Sequence, residues 1–220
     1  MFQTILFLLF SASCETLYMV FVSGIITAFV GLPLGTLLYI TRKNNILEHI
    51  FMHQFLAVIV NMTRSIPFVI LMIAVIPLTR FLVGSSIGTN AAIVPLSLCA
   101  IPFFARVVEN ALLEVTQGLI EAAEAMGATV WQVILKVLIP EALAGIINGL
   151  TLTMISLVGY SAMAGAVGGG GLGDLAIRYG YQRFDVGVML VTILIMILIV
   201  QLIQYAGDII AKRFAFSKKG

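Results

Sequence analysis

Two stretches of this chain, Thr16 to Thr41 and Ala142 to Gly173, contain no charged residue. A helix that crosses a bilayer needs about 20 mostly apolar residues, and both stretches exceed that length. Composition points the same way. Hydrophobic residues make up 61% of the chain and charged residues 10%, whereas a soluble domain carries roughly a quarter charged residues. Such a chain cannot cover a surface that faces water, but it can cover one that faces lipid. The sequence therefore predicts an all-α, polytopic membrane protein with one domain over residues 1–220.

Five segments reach or approach spanning length. They run from about Thr16 to Thr41, Ile50 to Thr79, Phe81 or Asn90 to Ala105, Pro140 to Gly173, and Val186 to Gly207. Lys and Arg in short loops stay on the cytoplasmic side. With the N-terminus outside, Arg42, Lys43, Arg106, Lys136, Lys212, Arg213, Lys218 and Lys219 become cytoplasmic, and Arg80, Arg178 and Arg183 lie outside. The reverse topology puts the larger set outside. The expectation is N-out and C-in, with a cytoplasmic loop from about 113 to 140. Met1 to Phe10 is apolar but has no basic start, and Ser11 to Cys14 only partly resembles a lipoprotein cleavage box. A cleaved signal is therefore not expected, and this segment reads as periplasmic-side or interfacial.

Small residues lie four apart at Gly31 and Gly35, Gly145 and Gly149, and Gly165 and Gly169. That spacing lets helices approach closely in lipid, and packing within the chain explains it more simply than a dimer seam. Pro33, Pro67, Pro77, Pro95 and Pro102 should kink or end helices, which suits a bundle that encloses a cavity.

Polar residues inside spans mark candidate path positions. Arg64 is the one charge in the second span, with Ser65 beside it and Pro67 just beyond. One reading turns Arg64 to the bundle interior, paired with a carboxylate or with carbonyls freed by Pro67. The other has it snorkelling to a headgroup. In the fourth span Asn148, Thr151 and Ser156 could line one side of a path. Tyr160, Ser161 and Met163 then lead to the outer end, where Met163, among small neighbours, is a candidate gate. Gly168, Gly170 and Gly173 match GxGxxG, yet they follow a span and not a strand, so Gly165 to Gly173 reads as a flexible turn. His49 and His53 share a helix face but lack a third ligand. Cys14 and Cys99 form no CxxC pair. No bound metal or cofactor is expected, and no ATP-binding GxxxxGK[ST] occurs.

The loop from 113 to 140 is patterned. Leu119, Ala122, Ala123 and Met126 recur at helical spacing, so Gly118 to Met126 reads as a short amphipathic helix. Gly127 suits its C-terminus. Thr129 and Gln132 fit a capping box that starts a second helix, with Trp131, Ile134, Leu135 and Leu138 on one face and Pro140 at the entry to the fourth span. Trp131 and Lys136 would suit a helix lying on lipid. Acidic Glu121 and Glu124, and the corner at Gly127, favour docking to a protein instead.

This loop resembles a signature of bacterial ATP-driven importer permeases: E-A-A, three residues, G, nine residues, I-x-L-P. Here it reads Glu121-Ala122-Ala123, Gly127, then Val137-Leu138-Ile139-Pro140, with Val137 and Ile139 as conservative departures. Phe21 to Gly24, Arg64 to Phe68, Ala91 to Leu96, Arg106 to Leu113 and Val158 to Met163 resemble the methionine importer permeases in particular, as does the number of spans. The resemblance implies the type I importer permease fold and a coupling helix seated in a cleft of a separate ATPase. Glu121, Ala122, Ala123, Gly127, Trp131 and Pro140 are then docking positions, while Arg64, Ser65, Asn148, Tyr160, Ser161 and Met163, singled out above by their place in the spans, are the candidates for the path or gate. It also implies a homodimer in the bacterial inner membrane, two copies of an ATP-binding subunit that holds ATP and Mg, and a periplasmic or lipid-anchored methionine-binding protein. Membrane lipid is a further partner, and nucleic acid is not.

Three rivals remain. The same machine could carry another amino acid or small solute. An ion-coupled secondary transporter would place carboxylates in the membrane core, whereas Glu141, Asp185 and Asp208 sit near span ends. An intramembrane enzyme would need a Ser/His or paired-carboxylate constellation, and none is evident within the spans.

Overall fold

The computed structural model describes residues 2–216; Lys218 and Lys219, used above to orient the chain, lie outside that range. The elements are α1 (Phe2–Ile40), α2 (Ile50–Ser65), α3 (Phe68–Ala74), α4 (Ile76–Val83), α5 (Thr89–Leu113), α6 (Gln117–Ala125), α7 (Val130–Val133), α8 (Ile139–Gly165), α9 (Gly171–Leu175) and α10 (Val186–Phe216). π-Helical turns fill Ile134–Leu138 and Ala176–Tyr181. The described residues contain no strand. Four helical stretches, Ile5–Ile40, Thr89–Leu113, Val130–Gly165 and Val186–Phe214, are long and apolar enough to cross a membrane, and α2 with α3 makes a fifth candidate as a bent pair.

Several boundaries differ from the sequence reading, each for a local reason. The second span is not one helix: α2 and α3 meet at 104°. Proline lacks an N–H and pushes its predecessor to extended backbone, and Ile66, before Pro67, sits at φ −82° and ψ 125°. Phe2 to Glu15 do not form a separate interfacial segment. They continue α1 without a break, and a 39-residue helix spans roughly 58 Å, nearly twice the hydrocarbon thickness. The third span does not end at Ala105 but runs on as α5 to Leu113, so Arg106 lies inside the helix. At Pro140 the chain does not restart, because the helix is continuous from Val130 to Gly165. The Ile139 N–H donates five residues back to the Ile134 carbonyl, and this widened turn accommodates the missing donor of Pro140.

Glycines bring three long helices together within the chain. Gly31 of α1 lies against Ile101 and Phe104 of α5, and Gly35 lies against Ala105 and Val108. Residue numbers rise together along this contact, so α1 and α5 run parallel. Gly145 and Gly149 of α8 meet Ala111 and Val107 of α5 in the opposite order, so α8 is antiparallel to both. Gly207 of α10 packs on Thr151, and Gly187 and Val188 at the start of α10 line a groove with Ile5 and Leu9 near the start of α1. Consequently the C-terminal ends of α1, α5 and α10 share one end of the molecule with α6, α7 and the start of α8.

At the opposite end the glycine-rich turn is tied down rather than flexible. The Gly171 N–H donates to the Glu15 carboxylate at 2.7 Å and the Leu172 N–H to the Thr16 hydroxyl at 2.8 Å. The Gly88 N–H donates to the Gly168 carbonyl at 2.9 Å.

The Gly35 contact generates a direct test. A Cβ there would stand 2.6 Å from the Val108 Cβ and closer still to the Ala105 carbonyl, so Gly35→Val should cost about 3 kcal/mol or more by overpacking. Gly118→Ala, in α6 with open space around it, should gain up to about 1 kcal/mol of helix propensity. Thermal unfolding of the purified protein in detergent checks both. An unchanged midpoint for Gly35→Val contradicts the packing argument.

Candidate functional site

The loop between α5 and α8 is built as a rigid corner. α6 ends in a Schellman motif: the Ala128 N–H donates to the Ala123 carbonyl at 3.0 Å and the Gly127 N–H to the Glu124 carbonyl at 2.9 Å. Gly127 is left-handed at φ +79°, and a Cβ added there would meet nothing within 4 Å, so its backbone conformation, not crowding, calls for glycine. α7 opens on the capping box of Thr129 and Gln132, in which the Gln132 side-chain oxygen accepts from the Thr129 N–H at 2.8 Å.

The buried face of α6 differs from the stripe read in the sequence. Ile120 and Ala123 turn inward, whereas Leu119, Ala122 and Met126 face out, Met126 with 83% of its surface exposed. The inward pair joins Val133, Ile134 and Leu138 in a cluster with Tyr39 of α1, Leu112 of α5 and Ala142 of α8. The loop is thus anchored to three long helices. Outward it shows Glu121, Ala122, Glu124, Met126 and Gly127. Glu121 and Glu124 border a polar crevice of about 330 Å³ with Asn44, Asn45 and Gln117. Trp131, 72% exposed, sits instead on an apolar groove of about 560 Å³ with Leu32, Leu37, Ile40 and Leu135. Pro140 is exposed in the continuous helix that leads into α8.

A polar seam joins α2 to α5. Arg106 donates to Glu109, one turn on, at 2.6 Å and to the Asn61 side-chain oxygen of α2 at 2.9 Å. The Glu109 side chain is 3% exposed, and Glu109 is the one buried carboxylate among the described residues. Arg106 already neutralises it, which leaves little for ion coupling to use. Arg64 stands one turn beyond Asn61 and forms no ion pair among the described residues. Its guanidinium lies 5.8 Å from the centre of the Phe103 ring, and the side chain is exposed. The Ser65 hydroxyl donates to the Asn61 carbonyl at 2.8 Å.

Other path candidates divide by face. Asn148, Leu152, Ser156, Gly159 and Met163 follow one another at helical spacing along the side of α8 that the chain leaves open; Ser156 is half-buried and the others are exposed. Ser161 faces inward, 1% exposed, and its hydroxyl donates to the Val158 carbonyl at 2.8 Å. Thr151 is buried and donates to the Ile147 carbonyl at 2.9 Å. Tyr160 stacks on Phe68, the first residue of α3, with ring centres 4.9 Å apart and 19° between planes. The stack connects the break beside Arg64 and Ser65 to α8. Glu109 and Glu15 escaped the sequence reading. The signal for the first was the Arg106–Glu109 spacing of three, which places both on one helix face; nothing local marked Glu15, whose partner is 156 residues away.

Residues 31–216 match the family described as binding-protein-dependent transport system inner membrane component. The chain is 53% identical over 206 residues to the probable D-methionine transport system permease protein MetI of Vibrio cholerae, covering 94% of this chain and 92% of that protein. With the D-methionine transport system permease protein MetI of Escherichia coli strain K12 it shares 54% over 165 residues, 75% of this chain and 76% of that one. It superposes on a solved inward-facing structure of the MetNI methionine ABC transporter with a TM-score of 0.96 at 51% identity, covering 97% of this chain and 99% of that one. An amino acid ABC transporter solved with histidines shares the fold alone, with a TM-score of 0.76 at 19% identity over 94% of each chain. This protein belongs to the family of binding-protein-dependent transport system inner membrane components. It is a multi-pass permease with the ABC importer fold expected from the sequence, and not an enzyme.

The seam makes its own prediction. Glu109→Gln leaves the Arg106 charge, 21% exposed, without its anion, which costs about 1–3 kcal/mol. Replacing both partners, Arg106→Met with Glu109→Met, should restore much of that loss. Thermal unfolding of the two variants in detergent decides, and equal destabilisation by both would count against the pair as the cause.

Proposed function

We propose that this chain forms the membrane path for methionine, D- and L-, in an ATP-driven importer of the bacterial inner membrane. It works as a homodimer with two copies of an ATP-binding subunit and a periplasmic or lipid-anchored methionine-binding protein. The observation that carries the reading is the corner at α6 and α7: a rigid base buried among α1, α5 and α8, and an outward surface of Glu121, Ala122, Glu124 and Met126. The likeness to methionine permeases supports the substrate.

The geometry gives the loop a mechanical role. A part that must pass force from a soluble subunit to a membrane bundle needs a stiff connection. Ile120, Ala123, Val133 and Ile134 pack directly on the ends of the long helices, so displacement of α6 by a closing ATPase is transmitted rather than absorbed. ATP and Mg belong to the partner subunit. Their binding favours one of two bundle states, which is alternating access driven by differential affinity. The open face of α8, from Asn148 to Met163, lines the path together with Arg64, Ser65 and Tyr160, and Met163 gates its outer part.

Purification of the chain from its native membrane in mild detergent should recover a stoichiometric ATPase. Gly127→Asp strains a left-handed position and adds a third carboxylate beside Glu121 and Glu124. It should insert normally, lose the ATPase, and cut labelled methionine uptake at least about tenfold. Normal uptake at normal expression overturns the docking role. Recovery of the permease alone, without any ATPase, overturns the importer reading, whereas uptake of another solute in place of methionine would change the substrate and leave the machine.

The gate has a separate test. Met163→Ala should raise passive leak of methionine through the assembled transporter in liposomes without ATP. Unchanged leak together with unchanged coupled transport excludes Met163 as the gate.

A further inference from the structure

Arg64 is a cation in an apolar stretch that meets no anion among the described residues. Two guanidinium groups, Arg64 and Arg106, lie along the contact of α2 with α5, against the single carboxylate of Glu109. Arg106 is satisfied by Glu109 at 2.6 Å and Asn61 at 2.9 Å. The surplus charge therefore sits on Arg64. Its ring contact, Phe103, is ten residues from the end of α5 at Leu113, about 15 Å along the helix. The Arg64 guanidinium lies over a phenyl ring and against no carboxylate among the described residues.

Chemistry around the break fits a zwitterion with an apolar tail. A planar guanidinium presents two parallel donors to a carboxylate, and its contact with Phe103, at 5.8 Å from the ring centre, is weak enough to be exchanged for a charged partner. Across the break stands the stack of Phe68 on Tyr160. Aromatic rings of this kind make favourable contacts with a thioether sulfur.

We propose that Arg64 is a substrate-binding residue that holds the α-carboxylate of the amino acid in transit, at a site between the α2–α3 break and α8. This rests on the importer reading. It adds to that reading a site in the membrane that selects for a free carboxylate, independent of the soluble binding protein.

The test uses the permease purified with its ATPase in lipid nanodiscs, without binding protein, and measures equilibrium binding of labelled L-methionine. Wild type should bind methionine, and the decarboxylated analogue 3-(methylthio)propylamine should compete at least about tenfold more weakly, the size expected from losing a charged hydrogen-bonded partner. Arg64→Gln should weaken methionine binding by a similar factor while still co-purifying with the ATPase, and Arg64→Lys should recover part of it. Equal competition by the amine overturns the proposal without any variant. So does undiminished methionine binding by Arg64→Gln, or no binding by wild type at millimolar methionine. Failure of the importer reading looks different, because the ATPase then does not co-purify with wild type at all.

Discussion

The approach of α5 to its neighbours is the constraint on which the rest of the molecule depends. In lipid, apolar side chains gain little by leaving one apolar environment for another, so helix association relies on van der Waals contact at short range. Gly31 and Gly35 give α1 that contact with α5, and Gly145 and Gly149 give it to α8. With the three axes set, the ends of the helices converge on one side, and the buried cluster of Tyr39, Leu112, Val133 and Ala142 forms there. α6 has a fixed floor to rest on for this reason.

Much of the architecture is legible because lipid imposes long apolar runs and because backbone punctuation is local. The uncharged stretches mark α1 and α8. Gly127 and the Thr129–Gln132 pair mark the corner, since left-handed conformation and reciprocal capping are decided within a few residues. Glycines four apart mark helix contacts within the chain. The misreadings have physical causes too. Arg106 looks like the end of a span because a charge in lipid is costly, but pairing with Glu109 lowers that cost and lets α5 continue. Pro67 alone predicts a kink, yet with the polar run from Asn61 to Ser65 before it the helix turns through 104°. The inward face of α6 is misleading in the sequence because Leu119 and Met126 are apolar, and only tertiary contact decides which apolar face of so short a helix is buried.

Of the site residues, those tied to backbone geometry can be found in the sequence, and those tied to distant partners cannot. Gly127 states its own requirement through a positive φ. Ser161 reads as part of the path, yet its hydroxyl is used inside its own helix. The stack of Tyr160 on Phe68, and the capture of Gly171 by Glu15, depend on how α3 and α9 fold back, which no local pattern encodes.

The clasp at the outer end has a mechanical consequence. α1 is held along its length by α5, near its C-terminal end by the cluster under the loop, and about 20 Å from its start by Glu15 and Thr16 on the glycine turn that follows α8. Pinned at two separate levels, it is braced against tilting. α2, by contrast, contributes Val60 as its one buried side chain, and α3 and α4 are short pieces hinged at Pro67 and Val75. Few buried contacts mean low local stability. α2 to α4 thus make a segmented arm, with Arg64 at its elbow, that is held more loosely than the long helices behind it.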